Sequence, residues 1–152
     1  GEVAIVAGSS ILRDHVERRL GFEQVMRAES PNIKVLPWIE GLEDPEIVEE
    51  KLTALLKSNP KVVAVYSLGG GNRGVISALQ SSGRPIRAIT HELTEHTRSA
   101  LMQGDLDAVL AQDPAQEVQS AIRVLKAFAD KKQINHSQEQ IRLEIFVRDN
   151  LP

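Results

Sequence analysis

Short β-branched runs alternate along the chain with longer segments whose apolar residues recur at helical spacing. Glu2–Ala7 reads as a strand, and Arg13–Ala28 as the helix after it, with Val16, Leu20, Val25 and Met26 as its apolar positions. Ile33–Trp38 is the next strand. Asp44-Pro45 then supplies an N-cap with proline at the first helical position, and Ile47, Val48, Leu52, Leu55 and Leu56 form a stripe that stops at Asn59-Pro60. Val62–Tyr66, Ile86–Thr90 and Ala108–Ala111 continue the strands, with helices over Gly71–Gln80 and Thr94–Met102 between them. Asp113-Pro114 opens a last capped helix, striped by Val118, Ala121, Ile122, Leu125 and Phe128, and Ile141–Val147 is the closing strand. The polar stretch Asp130–Gln140 between them reads as a surface connection.

This rhythm predicts the α/β class: a doubly wound, mostly parallel sheet with helices on both faces and right-handed crossovers. If the strand order is flavodoxin-like, the loops after the first and third strands, Gly8–Leu12 and Ser67–Asn72, face each other across the switch point where such sheets bind ligands. Three successive glycines, Gly69, Gly70 and Gly71, let the second loop's backbone approach a ligand without side-chain interference. Ser9 and Ser10 add hydroxyls opposite, and Arg13, Arg18, Arg19 and Asn72 are near enough in sequence to add polar groups.

Composition limits what such an edge does. The chain has 152 residues, a formal charge of -3 and 41% hydrophobic residues, which suits one domain with a real core. No apolar run approaches the ~20 residues of a membrane helix, and Gly1–Val6 lacks the basic start of a signal peptide. The absence of cysteine excludes disulfides, thiol catalysis and cysteine-based zinc sites, and fits a cytoplasmic protein. A mildly acidic chain lacks the clustered basic face that displaces counterions from DNA.

Catalytic patterns are also missing. Gly69, Gly71 and Gly74 meet the G-x-G-x-x-G spacing, but in the third βα unit, and the Walker pattern is absent. His91, Glu92 and His96 form the one histidine–carboxylate cluster. The i, i+5 spacing points the two histidines apart and offers no third ligand, so a helix start capped by Thr94 with Thr97 is the plainer reading. Ser9, Ser10 and Ser67 lack the G-x-S-x-G elbow. No catalytic residue, metal site or cofactor is assigned.

Several segments in order resemble the effector-binding core of LacI-type transcriptional repressors, itself similar in fold to periplasmic sugar-binding proteins. They are Val3–Gly8 followed by Arg18-Arg19-Leu20-Gly21-Phe22, the strand, glycine loop and helix of Val62–Leu79, His91-Glu92-Leu93-Thr94, Asp105–Pro114 and the ending Ile145–Pro152. The resemblance implies a periplasmic-binding-protein-like type I fold of which this chain is a fragment. Residues 1–112 are then the second lobe, and 113–152 a helix and strand that belong with a missing first lobe. Having lost their sheet, those two elements would need another partner, so a homodimer is expected. Operator DNA would be met only through a missing helix-turn-helix domain.

The same resemblance assigns ligand groups: Arg18 as a donor to sugar hydroxyls, Glu92 where the family usually has aspartate, and Gln112 on a crossing strand. Asn72, Gly70 and Ser9 complete the expected ligand-binding set. The implied function is sensing of a small sugar-like effector, without chemistry on it. The alternatives are a fragment of a periplasmic sugar-binding protein serving transport and, behind it, a small α/β enzyme acting on a phosphate-bearing substrate.

Overall fold

The computed structural model describes residues 1–152. Seven strands, β1 (Glu2–Ala7), β2 (Lys34–Val35), β3 (Ile39–Glu40), β4 (Val62–Ser67), β5 (Arg87–His91), β6 (Ala108–Gln112) and β7 (Leu143–Phe146), form one sheet. Its order is β2-β1-β4-β5-β6-β7, with β3 also on β1, and every pairing is parallel except β6 with β7. Helices α1 (Arg13–Glu29), α2 (Pro45–Ser58), α3 (Asn72–Ser82), α4 (Glu95–Gln103) and α5 (Pro114–Ala129) lie between the strands. The doubly wound α/β class is therefore as expected. The single strand read over Ile33–Trp38 is instead two short ones, broken where Pro37 has no N–H to give the ladder.

One face of the sheet carries the main core. Ala4, Val6, Val62, Val65 and Ala88 pack there against Val48 and Leu52 of α2, Val75 and Ala78 of α3 and Leu101 of α4. The caps are those the sequence announces: the Asp44 carboxylate accepts from the N–H groups of Glu46 and Ile47, Asp113 does the same at α5, and Thr94 with Thr97 makes a capping box on α4. Gly74 sits where α3 crosses α2 and leaves no room for a Cβ against the Pro45 carbonyl. Arg84 ties the far end together, donating to the carbonyls of Leu56, Pro60 and Val62.

The other face is less complete. A small cluster of Ile5, Ala7 and Leu68 packs with Phe22, Val35, Trp38 and Tyr66. The inward side of α1 carries His15, Val16, Arg18, Arg19, Phe22, Glu23 and Met26, whereas Leu20 and Val25, read as apolar packing positions, are about half exposed. Toward β7, Ile89, Leu143 and Ile145 stay exposed on this side of the sheet. Helix α5 also stands uncovered: Val118, Ile122, Leu125 and Phe128 are 59 to 79% exposed, and Ser120 is its sole buried residue. Arg123 of α5 makes a two-pronged bond to Glu139, which holds the returning connection along the helix. The closing strand has not lost its sheet, since Leu143–Phe146 pairs antiparallel with Val109–Gln112. No helix is long and apolar enough to cross a membrane.

Candidate functional site

The switch point lies between β1 and β4, because the chain winds from β1 outward to β2 and β3 and then returns to β4 on the other side. Beyond the carboxyl ends of these strands and of β5 and β6, the loops gather the polar residues. The β4 loop turns on glycines: Gly69, Gly70 and Gly71 have φ of 120°, 74° and 69°. All three lie in the left-handed region that side-chain-bearing residues avoid, which explains the triplet. Glu92, after β5, adopts φ 71° without being glycine, and such backbone strain gathers at ligand clamps.

Arg18 reaches this edge from the inward face of α1. Its guanidinium donates to the Leu68 carbonyl at 2.6 Å and to Glu92 Oε1 at 3.4 Å, with Asp14 at 3.5 Å. The arginine and the glutamate, 74 positions apart in sequence, thus meet over the β4 loop. They offer a ligand donors and acceptors side by side, which suits vicinal hydroxyls. Gln112 ends β6 at the same edge of the sheet.

The other expected residues make contacts within the chain. Asn72 spends both ends of its carboxamide: Oδ1 accepts from Ser67 Oγ at 2.7 Å and Nδ2 donates to the His91 carbonyl at 2.8 Å, locking the ends of β4 and β5 together. The Ser9 hydroxyl accepts from the Ile11 N–H, and its own N–H donates to His15 Nδ1 at 3.3 Å. Ser10 donates its N–H to Glu40, whose carboxyl this bond holds below the usual range. Arg13 faces outward to Glu17, and Arg19 stacks on Trp38 with its guanidinium 4.4 Å from the ring centre.

Beneath Arg18 lies a layer that sequence reasoning missed. Tyr66 and His91 share a 2.7 Å hydrogen bond between the hydroxyl and Nε2, and Phe22 packs on Tyr66 with ring centres 4.7 Å apart. His91 is 4% exposed and its Nδ1 has no partner. Burial first, then the charge of Arg18, lowers its pKa to about 4, so the ring is neutral at ordinary pH; burial likewise raises the Tyr66 phenol. His15, equally buried, stands with Arg18 above Gly69. Glu43 was also missed; its carboxylate lies over Gly8 and Gly70. Only the backbone turn at Leu42 and Glu43 brings it there, with φ of 54° and 62°, and nothing in the local sequence announces that turn.

Strand order and polar edge are those of an open α/β sheet, the kind that takes ligands at its switch point. The family model described as a periplasmic binding protein domain matches residues 1–133, and the chain belongs to that family. No curated protein matches it significantly. Among solved structures it is similar to a glucose-galactose binding protein from Geobacillus stearothermophilus, with TM-score 0.89, 21% identity and coverage of 99% of this chain and 54% of that one. An ABC transporter solute binding protein from Agrobacterium vitis, bound with α-D-tagatopyranose, gives 0.87, 21%, 99% and 51%. A periplasmic solute binding protein of an ABC transporter from Actinobacillus succinogenes, with bound D-allose, gives 0.82, 20%, 98% and 52%. At these identities the likeness is one of fold, and the chain spans about half the length of each. The cytoplasmic location expected from the sequence is corrected by these neighbours, two of which are named ABC transporter solute-binding proteins and one of those periplasmic.

Proposed function

We propose that the chain is one lobe of a sugar-binding protein of the transporter type, and that its ligand lies against the carboxyl edge of the sheet under a second lobe. The observation that carries this reading is the Arg18–Glu92 pair poised over the glycine loop. Arg18 donates to ligand hydroxyls, Glu92 accepts from them, and Gln112 adds a carboxamide. Ser9, Gly70 and Asn72 shape the edge through the loops they fix. The proposed role is binding and release, with no chemistry on the ligand. Residues 1–112 form the lobe, while α5, uncovered in this chain, belongs against the second lobe or a second copy.

A LacI-type regulator, meeting operator DNA through a separate helix-turn-helix, is the second reading. It draws on Arg18-Arg19-Leu20-Gly21-Phe22 and on the ending Arg148–Pro152. A helix-turn-helix encoded upstream would favour it, and the similar solved structures favour the transporter type.

A thermal-shift screen of the complete gene product against neutral monosaccharides tests both, because both require the same edge. A stabilising sugar is expected. Arg18→Ala and Glu92→Ala should each weaken it at least about tenfold, the loss that follows from removing a hydrogen bond to a charged group. A sugar that stabilises the protein regardless of both substitutions would place the ligand elsewhere.

A further inference from the structure

Glu43 stands at the centre of the switch point. A Cβ on Gly8, the first residue after β1, or on Gly70, in the loop after β4, would collide with its carboxylate. To hold that position, two consecutive non-glycine residues, Leu42 and Glu43, take left-handed backbone. The cation of the site does not neutralise it, since Arg18 pairs with Glu92 and Asp14. On its outer side Glu43 borders a hollow lined also by Asp44, Glu46, Glu49 and Arg73.

The glycine loop beside Glu43 would otherwise suit an anion. A glycine loop running into a helix start presents N–H groups and the positive end of the helix dipole, the usual setting for a phosphate or carboxylate. Helix α3 begins there, with Gly71 as its N-cap and no side chain capping it. The exposed Glu43 carboxylate lies beside that loop, against Gly70.

We infer that Glu43 sets the charge specificity of the site, admitting uncharged sugars and excluding those that carry phosphate or carboxylate. Two effects act together. Glu43 flanks the glycine loop that an anionic group would approach, and around Arg18 and Arg73 the carboxylates of Asp14, Glu43, Asp44, Glu46, Glu49 and Glu92 leave an excess of negative charge. Repulsion of a further anion by this excess of negative charge follows from Coulomb's law.

The inference rests on the sugar-binding reading, and the test separates the two. Affinities of the complete gene product are measured by titration calorimetry for D-glucose, D-galactose, D-xylose and L-arabinose, and for the 6-phosphates and uronates of the two hexoses. The unaltered protein is expected to bind a neutral sugar and no matching anion. In Glu43→Gln and Glu43→Ala the preference for neutral over anionic sugar should fall at least about tenfold, one charge contact's worth. If Arg18→Ala abolishes neutral-sugar binding while both Glu43 variants keep the original preference, the inference fails and the binding reading stands. Binding of a sugar phosphate or uronate by the unaltered protein as tightly as the neutral sugar has the same meaning. Binding of none of these probes overturns the reading itself.

Discussion

His91 illustrates how individual residues in this fold are held by their surroundings. It is buried, bonded to Tyr66 and close to the charge of Arg18, so the folded protein keeps it neutral down to a pH of about 4, whereas an unfolded chain protonates it near 6.5. Because its folded pKa is depressed and protonation gives the cation, the unfolded state binds the extra proton first as pH falls. The stability this residue contributes is full above about 6.5 and is lost progressively between there and about 4. The melting temperature should therefore drop across that window in the unaltered protein and drop less steeply in His91→Gln. Equal slopes for the two proteins would show that some other group dominates.

Among elements, the contact between α2 and α3 is the most constrained. Gly74 brings the two backbones so close that an added methyl would meet the Pro45 carbonyl and, at 2.8 Å, the Glu49 nitrogen. Backbone cannot swing aside as a side-chain tip can. Gly74→Ala should cost about 1–3 kcal/mol despite the better helix propensity of alanine, a sign that chemical denaturation reads directly. Gly83→Ala makes the control, because no atom lies within 4 Å of its would-be Cβ and the cost there is that of a left-handed backbone alone.

The elements were also the most legible part of the sequence. Proline-led caps at Asp44 and Asp113, the Thr94–Thr97 box and the β-branched runs each follow from local chemistry, the parallel sheet follows from their alternation, and the flavodoxin-like order set as a condition is the one observed. Helix α1 was legible only in part: Val16 and Met26 are half-buried as read, but Leu20 and Val25 face outward and the inward stripe also carries His15, Arg18 and Arg19. A helix whose polar face turns inward breaks the amphipathic rule where it helps to build a site. Of the site, Arg18 and Glu92 were named from resemblance, and the structure brings them together. Glu43, His15 and the Tyr66–His91 pair were not legible. Their placement depends on two left-handed residues and on contacts between strands distant in sequence.

The molecule as a whole has one well-filled face and one with apolar surface to spare. Ile89, Leu143 and Ile145 lie open on the sheet, and α5 carries four large apolar residues in water. An exposed apolar stripe of that kind marks an association surface. The 152-residue chain on its own should self-associate, and Ile122→Glu with Phe128→Ser should shift it toward monomer in size-exclusion chromatography with light scattering. A single monomeric peak for the unaltered chain would contradict that expectation. In the complete gene product, a second lobe covering the same stripe would make the two substitutions destabilising instead.

The central claim is that the carboxyl edge of the sheet, at the Arg18–Glu92 pair, holds a sugar. The most direct measurement is a crystal structure of the complete gene product with a sugar that stabilises it. The account predicts ligand hydroxyls within hydrogen-bonding distance of the Arg18 guanidinium and the Glu92 carboxylate, over Gly69–Gly71. A sugar bound at the opposite edge of the sheet, or seated without contact to either side chain, would contradict it.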